Sequence, residues 1–262
     1  MDPVETDLQI ARRAALTGAA EAMRHFAALA DLSHELKADG SVVTAADRAV
    51  ESVIRGVLEA ARPDDAILGE EHGETAGRGG RRWILDPIDG TALFVRGDGR
   101  WLVLVALEVE GEVTTAVAAV PAVGRVWWAS RGEGAWEGVL EEGRIVTPRR
   151  IRVSSAPAAG VAGSLLGVVP LDWGRERAVP VIEIADERPW EVQPALHVAR
   201  GDLDLAVQTG GAIWDFAATS LIVNEAGGCY RGFAGNTRPA PGGSVYAASA
   251  GLASEAVALL AK

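Results

Sequence analysis

Asp86 and Asp89 close an apolar run and open a Gly-Thr turn in Trp83-Ile84-Leu85-Asp86-Pro87-Ile88-Asp89-Gly90-Thr91. Upstream, Gly69-Glu70-Glu71-His72-Gly73 adds adjacent acids, and far downstream Trp214-Asp215-Phe216 adds one more. Glu70, Asp86, Asp89 and Asp215 are hard oxygen donors, which Mg²⁺ takes in preference to thiolate or imidazole. So many placed acids beside glycines imply a magnesium site for phosphate chemistry.

Each acid has a plainer reading when taken alone. Asp89 can cap a helix while Asp86 sits in a turn, and Glu70 with Glu71 can be a solvated pair. Asp215 can be the N-cap of the helix that follows it, Asp47 a capping-box acid and Thr91 a turn hydroxyl. Their joint occurrence favours metal. Pro87 interrupts strand pairing, Gly90 allows a sharp turn and Thr91 opens a helix. That places Asp86, the Ile88 carbonyl and Asp89 around one point, beside helix N-terminal amides of the kind that bind phosphate. His72 lies next to the acids, where it can touch substrate, whereas His25 and His197 read as structural.

Other phosphate chemistries leave signatures that are missing here. There is no Asp-x-Asp-x-Thr or Arg-His-Gly motif, no Walker loop and no His-Glu-x-x-His. Cys229 has no arginine six positions on, as a cysteine phosphatase loop requires, and it has no second cysteine for a disulfide or a zinc knuckle. A lone cysteine fits a reducing compartment, and neither a membrane-spanning run nor a signal-peptide core is present, so the expected location is the cytoplasm. The formal charge of −11 argues against a nucleic-acid groove. It also means that bound cations must reverse the local sign before an anionic substrate is welcome. Only Lys37 and Lys262 among the 25 basic residues are lysines, a compositional bias of GC-rich bacterial genomes that says little about chemistry.

The acids need elements to hold them. Leu8, Ala11, Ala15, Ala19, Met23 and Phe26 form a helical stripe. A second helix follows Thr44, with Thr44 and Asp47 as a capping box, Val50, Val53, Ile54, Val57, Leu58 and Ala61 as its buried face, and Pro63 as its end. Strands are expected over 83–85, 101–109, 113–120 and 126–129, with hairpins at Glu110-Gly111-Glu112 and around Glu141-Glu142-Gly143. The Ser/Ala/Pro/Gly-rich stretch 154–167 is the expected boundary, which gives an N-terminal α+β half (1–153) and a C-terminal α/β half (154–262). In the latter, 203–207 and 244–248 read as strands, and 215–226 and 254–260 as helices.

Taken together, these segments resemble the inositol monophosphatase family of magnesium-dependent, lithium-sensitive phosphatases. The matching pieces are Lys37-x-Asp39-Gly40-Ser41-x-Val43-Thr44-x-Ala46-Asp47, Gly69-Glu70-Glu71, Asp86-Pro87-Ile88-Asp89-Gly90-Thr91 and Trp214-Asp215, with Gly132-x-Gly134-Ala135 and Glu225-Ala226-Gly227-Gly228. The resemblance covers nearly the whole chain. It implies an α/β (α+β) five-layer αβαβα sandwich, usually a homodimer, and two to three Mg²⁺ per site. Glu70, Asp86 and the Ile88 carbonyl would hold one ion, Asp86, Asp89 and Asp215 a second, and Glu70 with Glu71 a third. Thr91, oriented by Asp47, would polarise the attacking water, while the Gly90 and Thr91 amides grip the phosphate.

Within the family, Trp127-Trp128-Ala129-Ser130-Arg131-Gly132 and Phe94-Val95-Arg96-Gly97 look most like the actinobacterial histidinol-phosphate phosphatases. The substrate wall departs from that pattern. Ala92-Leu93 replaces x-Asn before Phe94, Gln208 stands where relatives place an acid, and Glu191 falls near a position that is Asp in the histidinol type, within Pro189-Trp190-Glu191-Val192. The implied substrate contacts are Glu191, Gln208 and Asp215. Histidinol phosphate is the first expected substrate, followed by inositol, sugar, nucleotide or specialised-metabolite phosphates. A catalytically silent binding homologue is the non-enzyme alternative.

Overall fold

In the computed structural model, residues 5–29, 34–36, 42–170 and 174–261 are described. Lys37, Asp39, Gly40, Ser41 and Lys262 lie outside the described residues. The chain divides into two compact units, Met1–Trp128 with Glu137–Pro148, and Ala129–Trp136 with Arg149–Lys262.

The first unit begins with helix α1 (Asp7–Ala27), a short antiparallel pair β1 (His34–Leu36) and β2 (Val42–Thr44), and helix α2 (Ala45–Ala61). The strands β3 (Ala66–Gly69), β4 (Gly73–Thr75) and β5 (Arg81–Asp89) follow, then helix α3 (Thr91–Val95). A meander of β6 (Leu102–Val109), β7 (Glu112–Val120), β8 (Arg125–Ser130), β9 (Gly134–Glu141) and β10 (Arg144–Ile151) completes an eight-stranded sheet ordered β10-β9-β8-β7-β6-β5-β3-β4. The two expected hairpins are present. Only β3 and β5 pair in parallel among the register-defined pairs around the acids, and this matters for the site.

Helices α1 and α2 pack on each other and over β5, β6 and β7. The buried face of α1 is Ile10, Ala11, Ala14, Ala15, Gly18, Ala19 and Ala22, which includes Ala11, Ala15 and Ala19 of the expected stripe. Leu8, Met23 and Phe26 are only half-buried. The reason is close approach: a Cβ on Gly18 would lie 2.7 Å from Ile54 Cδ1, so small residues form the seam and larger ones flank it. On α2, Val50, Ile54 and Leu58 are buried as expected, but Val53, Val57 and Ala61 are half-buried, and the charged Asp47, Glu51 and Arg55 are buried instead.

The second unit contains β11 (Leu165–Val169), a short helix α4 (Val179–Ile182), β12 (Asp186–Glu187), α5 (Pro194–Arg200), β13 (Leu205–Gln208), α6 (Ile213–Glu225), β14 (Cys229–Gly232), β15 (Ser244–Ala247) and α7 (Ala250–Leu260). Its sheet is ordered β12-β11-β13-β15-β14, with β12, β11 and β13 parallel and β15 antiparallel to both its neighbours. Leu166, Val168, Leu205, Val207, Val245 and Ala247 form its core with Leu252, Ala253 and Ala256 of α7. Each fully buried Val or Leu contributes about 1.5–3 kcal/mol. Residues 165–167, expected in a linker, belong to β11.

Among the described residues no helix is long and apolar enough to cross a membrane. Cys229 is buried, and burial pushes its thiol pKa up. Thiolate being the reactive form, the native protein should resist a disulfide reagent at pH 8 and react in denaturant. Time-resolved thiol labelling followed by mass spectrometry checks this, and rapid native labelling would contradict the buried position.

Candidate metal centre

In a regular strand, residues 86 and 89 point to opposite faces, because side chains alternate. The pairing of β5 with β6 changes that. Asp86 faces Leu104 and Asp89 faces Leu102, so three steps on β5 match two on β6, and the extra residue is a bulge. Pro87 helps to cause it, since it has no N–H for the ladder. The strand therefore does not end at Asp86, as its sequence suggested, but continues kinked to Asp89. The bulge turns both acids to one side, and a carboxylate oxygen of Asp86 lies within 4.8 Å of one of Asp89. Asp86 is buried and Asp89 half-buried.

Gly90 then takes φ +86, in the left-handed region that favours glycine, and serves as the N-cap of α3. This puts Thr91 at the first helical position, where backbone amides have no acceptor within the helix. Thr91 Oγ1 lies 3.0 Å from both Asp47 Oδ1 and the Ile88 carbonyl oxygen. Its single proton serves one of them at a time, which leaves its lone pairs to receive a hydrogen from elsewhere.

Asp47 is held by the start of α2. Its Oδ2 accepts from Thr44 N at 2.8 Å and Thr44 Oγ1 at 2.6 Å, while the Thr44 hydroxyl caps Ala46 N and Asp47 N. The expected capping box is present, with its acid fully buried.

Glu70 follows β3 directly. The parallel register pairs Gly69 with Leu85, so the next residue on each strand is Glu70 and Asp86, and the acid-bearing ends lie side by side. The Glu70 and Glu71 carboxylates, however, do not join Asp86 and Asp89 within 4.8 Å. His72 is exposed, with Nδ1 3.3 Å from Glu51 Oε1. Sequence reasoning missed Glu51 and Arg55. The signal was there: Asp47, Glu51 and Arg55 recur every four residues beside the apolar stripe of Val50, Ile54 and Leu58, a charged row on a helix whose neighbouring row is core.

In the second unit Asp215 lies in the first turn of α6 and is half-buried. It is not the N-cap considered from sequence. Ala212 is, and Asp215 Oδ2 reaches back to accept from Ala212 N at 2.6 Å. Gln208 ends β13 and is buried. Its amide orientation follows from a chain of donors. Ala195 N donates to Gln193 Oε1 at 2.6 Å, so the facing group of Gln193 is its NH₂, which donates to Gln208 Oε1 at 3.1 Å. Gln193, also missed from sequence, thereby leaves Gln208 with its own NH₂ as the remaining donor. Glu191 is exposed, next to Trp190, which is anchored by donation from Nε1 to the Val168 carbonyl at 3.1 Å.

The family model described as the inositol monophosphatase family matches residues 4–262. The chain belongs to that family. A Streptomyces coelicolor protein named histidinol-phosphatase is 38% identical over 259 residues, covering 94% of this chain and 92% of its own length. A Streptomyces griseus protein named glucose-1-phosphate thymidylyltransferase is also 38% identical, over 248 residues, with 93% and 92% covered. Among solved structures, the extragenic suppressor protein suhB from Bartonella henselae superposes with a TM-score of 0.81 at 26% identity, 97% of each chain being covered. The fold is thus the mixed α/β fold of the inositol monophosphatases, and the chain is a member of a family of phosphoric monoester hydrolases.

The donor set suits a hard divalent cation. The bulged end of β5 gathers two carboxylates, with the Ile88 carbonyl between them in sequence and neither thiol nor imidazole among them. The family is metal-dependent, and these acids form a cluster of the kind that can bind a metal ion.

Proposed function

We propose that the chain is a Mg²⁺-dependent phosphomonoesterase acting on histidinol phosphate. The observation that carries the catalytic part is the bulge that turns Asp86 and Asp89 to one side, next to a threonine hydroxyl tied to a buried aspartate. Glu70, Asp86, the Ile88 carbonyl, Asp89 and Asp215 would hold two ions, with Glu71 assisting a third. Bound there, Mg²⁺ neutralises the phosphate and stabilises charge on the departing oxygen.

The chain's own groups do the rest. The Gly90 and Thr91 amides grip the phosphate oxygens. Water attacking phosphorus donates its hydrogen towards Thr91 Oγ1, whose own proton lies towards Asp47 Oδ1. The phosphorus–oxygen ester bond breaks, and the departing oxygen takes a proton from solvent in exchange for the one that the attacking water gives up, giving inorganic phosphate and the free alcohol.

Support for histidinol phosphate comes from the 38% identical Streptomyces coelicolor relative. Gln208, locked as a donor, suits a substrate hydroxyl, while Glu191 is the acid available to an ammonium group. Asp215 faces both roles, as ligand and as substrate contact. The cytoplasm and a homodimer complete the reading, resting on the single cysteine and the family resemblance, and light scattering after gel filtration tests the dimer.

The direct test is phosphate release with and without Mg²⁺ over histidinol phosphate, inositol 1-phosphate, sugar phosphates and nucleotides. Activity should require Mg²⁺, with the highest kcat/KM for histidinol phosphate, and Glu191→Gln should raise KM for that substrate about tenfold, a loss near 1.4 kcal/mol. If inositol 1-phosphate is hydrolysed tenfold better, the substrate assignment fails and the phosphatase assignment stands. A thymidine triphosphate plus glucose 1-phosphate arm, read for pyrophosphate, distinguishes the reaction named for the Streptomyces griseus relative.

A further inference from the structure

A buried charge that the proposed chemistry does not use sits one turn beyond Asp47. The Glu51 carboxylate is 0% exposed. Its Oε2 accepts from Glu71 N at 2.7 Å, and its Oε1 accepts from His72 N at 3.2 Å and Arg55 Nε at 2.7 Å. Arg55, itself buried, continues outward and donates to Thr75 Oγ1 at 3.0 Å and to the Gly73 carbonyl at 2.5 Å. The segment 69–75 is therefore fastened from beneath at four points by two side chains of α2, which are also bonded to each other. The fit is close: a Cβ on Gly69 would lie 2.1 Å from Glu51 Oε1. Between Gly69 and Glu71 stands Glu70.

We infer that Glu51 is a positioning residue, which holds the Glu70 segment at a fixed place so that Glu70 is preorganised for its cation. This rests on the reading of Glu70 as a metal ligand. Burying a carboxylate against a guanidinium is a weak route to stability, because desolvation cancels most of the attraction. A burial that costs so much and contributes so little is accounted for by what it holds. Residues 47 and 51 share one face of α2, a turn apart. One rigid helix thus fixes Thr91 through Asp47 and the Glu70 segment through Glu51, and sets the spacing between them.

The test uses full-length protein. In Glu51→Gln the amide NH₂ confronts one of three donors, and the segment shifts. The Mg²⁺ concentration giving half-maximal activity should rise about tenfold or more, the range found when groups supporting a metal ligand are removed. The upward shift in melting temperature produced by Mg²⁺ alone, without substrate, should shrink in parallel. Gly69→Ala should act in the same direction without altering any charge. A merely structural role predicts a lower melting temperature with an unchanged Mg²⁺ requirement, which would overturn the inference. Glu70→Gln separates the two layers. If it leaves Mg²⁺ binding unchanged, the ligand reading fails; if it weakens binding while Glu51→Gln does not, only the positioning role fails. Should both positioning variants be insoluble, hydrogen exchange of the wild type decides. The Glu71 and His72 amides should be protected without metal to a degree comparable with the core of α2, and rapid exchange would sink the proposal.

Discussion

Phosphate release should fall about a thousandfold or more in Asp89→Asn, while the metal-free protein becomes no less stable. The opposite signs are the point of the prediction. Two carboxylates with oxygens within 4.8 Å repel each other by about 3–4 kcal/mol at an effective dielectric of 20. Asparagine keeps the shape and removes the repulsion, so the melting temperature without Mg²⁺ should hold or rise. Adding Mg²⁺ should then raise it less than in the wild type, since one charged donor is gone. Asp215→Asn should lose activity similarly if that residue is a metal ligand as proposed. A loss smaller than tenfold in Asp89→Asn would remove that residue from the ligand set.

Phe94→Ala should cost about 3–5 kcal/mol, the range for emptying a buried phenyl site. Phe94 is 0% exposed, with ring centroids 5.2 Å from Phe26 and 5.0 Å from Trp101. Helix α3 is five residues long, far too short to be helical on its own. Its shape rests on that aromatic cluster, and Thr91 is its first residue. The melting temperature should drop by about ten degrees, at roughly 2–4 °C per kcal/mol for a chain of this size. Below the transition kcat should also fall, because Thr91 loses its fixed direction towards Asp47. Phe94→Leu, which refills most of the volume, should recover most of both effects. If Phe94→Ala melts like the wild type, the cluster does not support α3.

The sequence was most legible where one residue type had one physical meaning. Thr44 with Asp47, Gly90 before Thr91 and the Gly-centred hairpins each occupy the positions that their chemistry demands. It misled where packing overrode pattern. The α1 seam is built mostly from Ala and Gly because α2 comes so close, so Ala11, Ala15 and Ala19 of the expected stripe are buried while Leu8, Met23 and Phe26 only flank it. Asp86 looked like the end of a strand, yet the strand absorbs Pro87 as a bulge and continues. Asp215 looked like a cap and is a third-position acid reaching back to one. The charged row of Glu51 and Arg55 on α2 was readable, but what it holds was not, because those partners lie 18 to 21 residues away, and Gln193 meets Gln208 across 15 residues that no motif records.

Asp47 divides its two oxygens between separate duties: Oδ2 closes the first turn of α2 through Thr44, and Oδ1 meets the Thr91 hydroxyl. Mutational drift at this position must therefore satisfy two independent selections at once, for a protein that assembles and for one that turns over. A library screened only for heat resistance would retain Asp47 even in dead enzymes, so its persistence in a diverged descendant would be poor testimony to activity. Thr91, which has no such second employment in capping, would be the more candid witness.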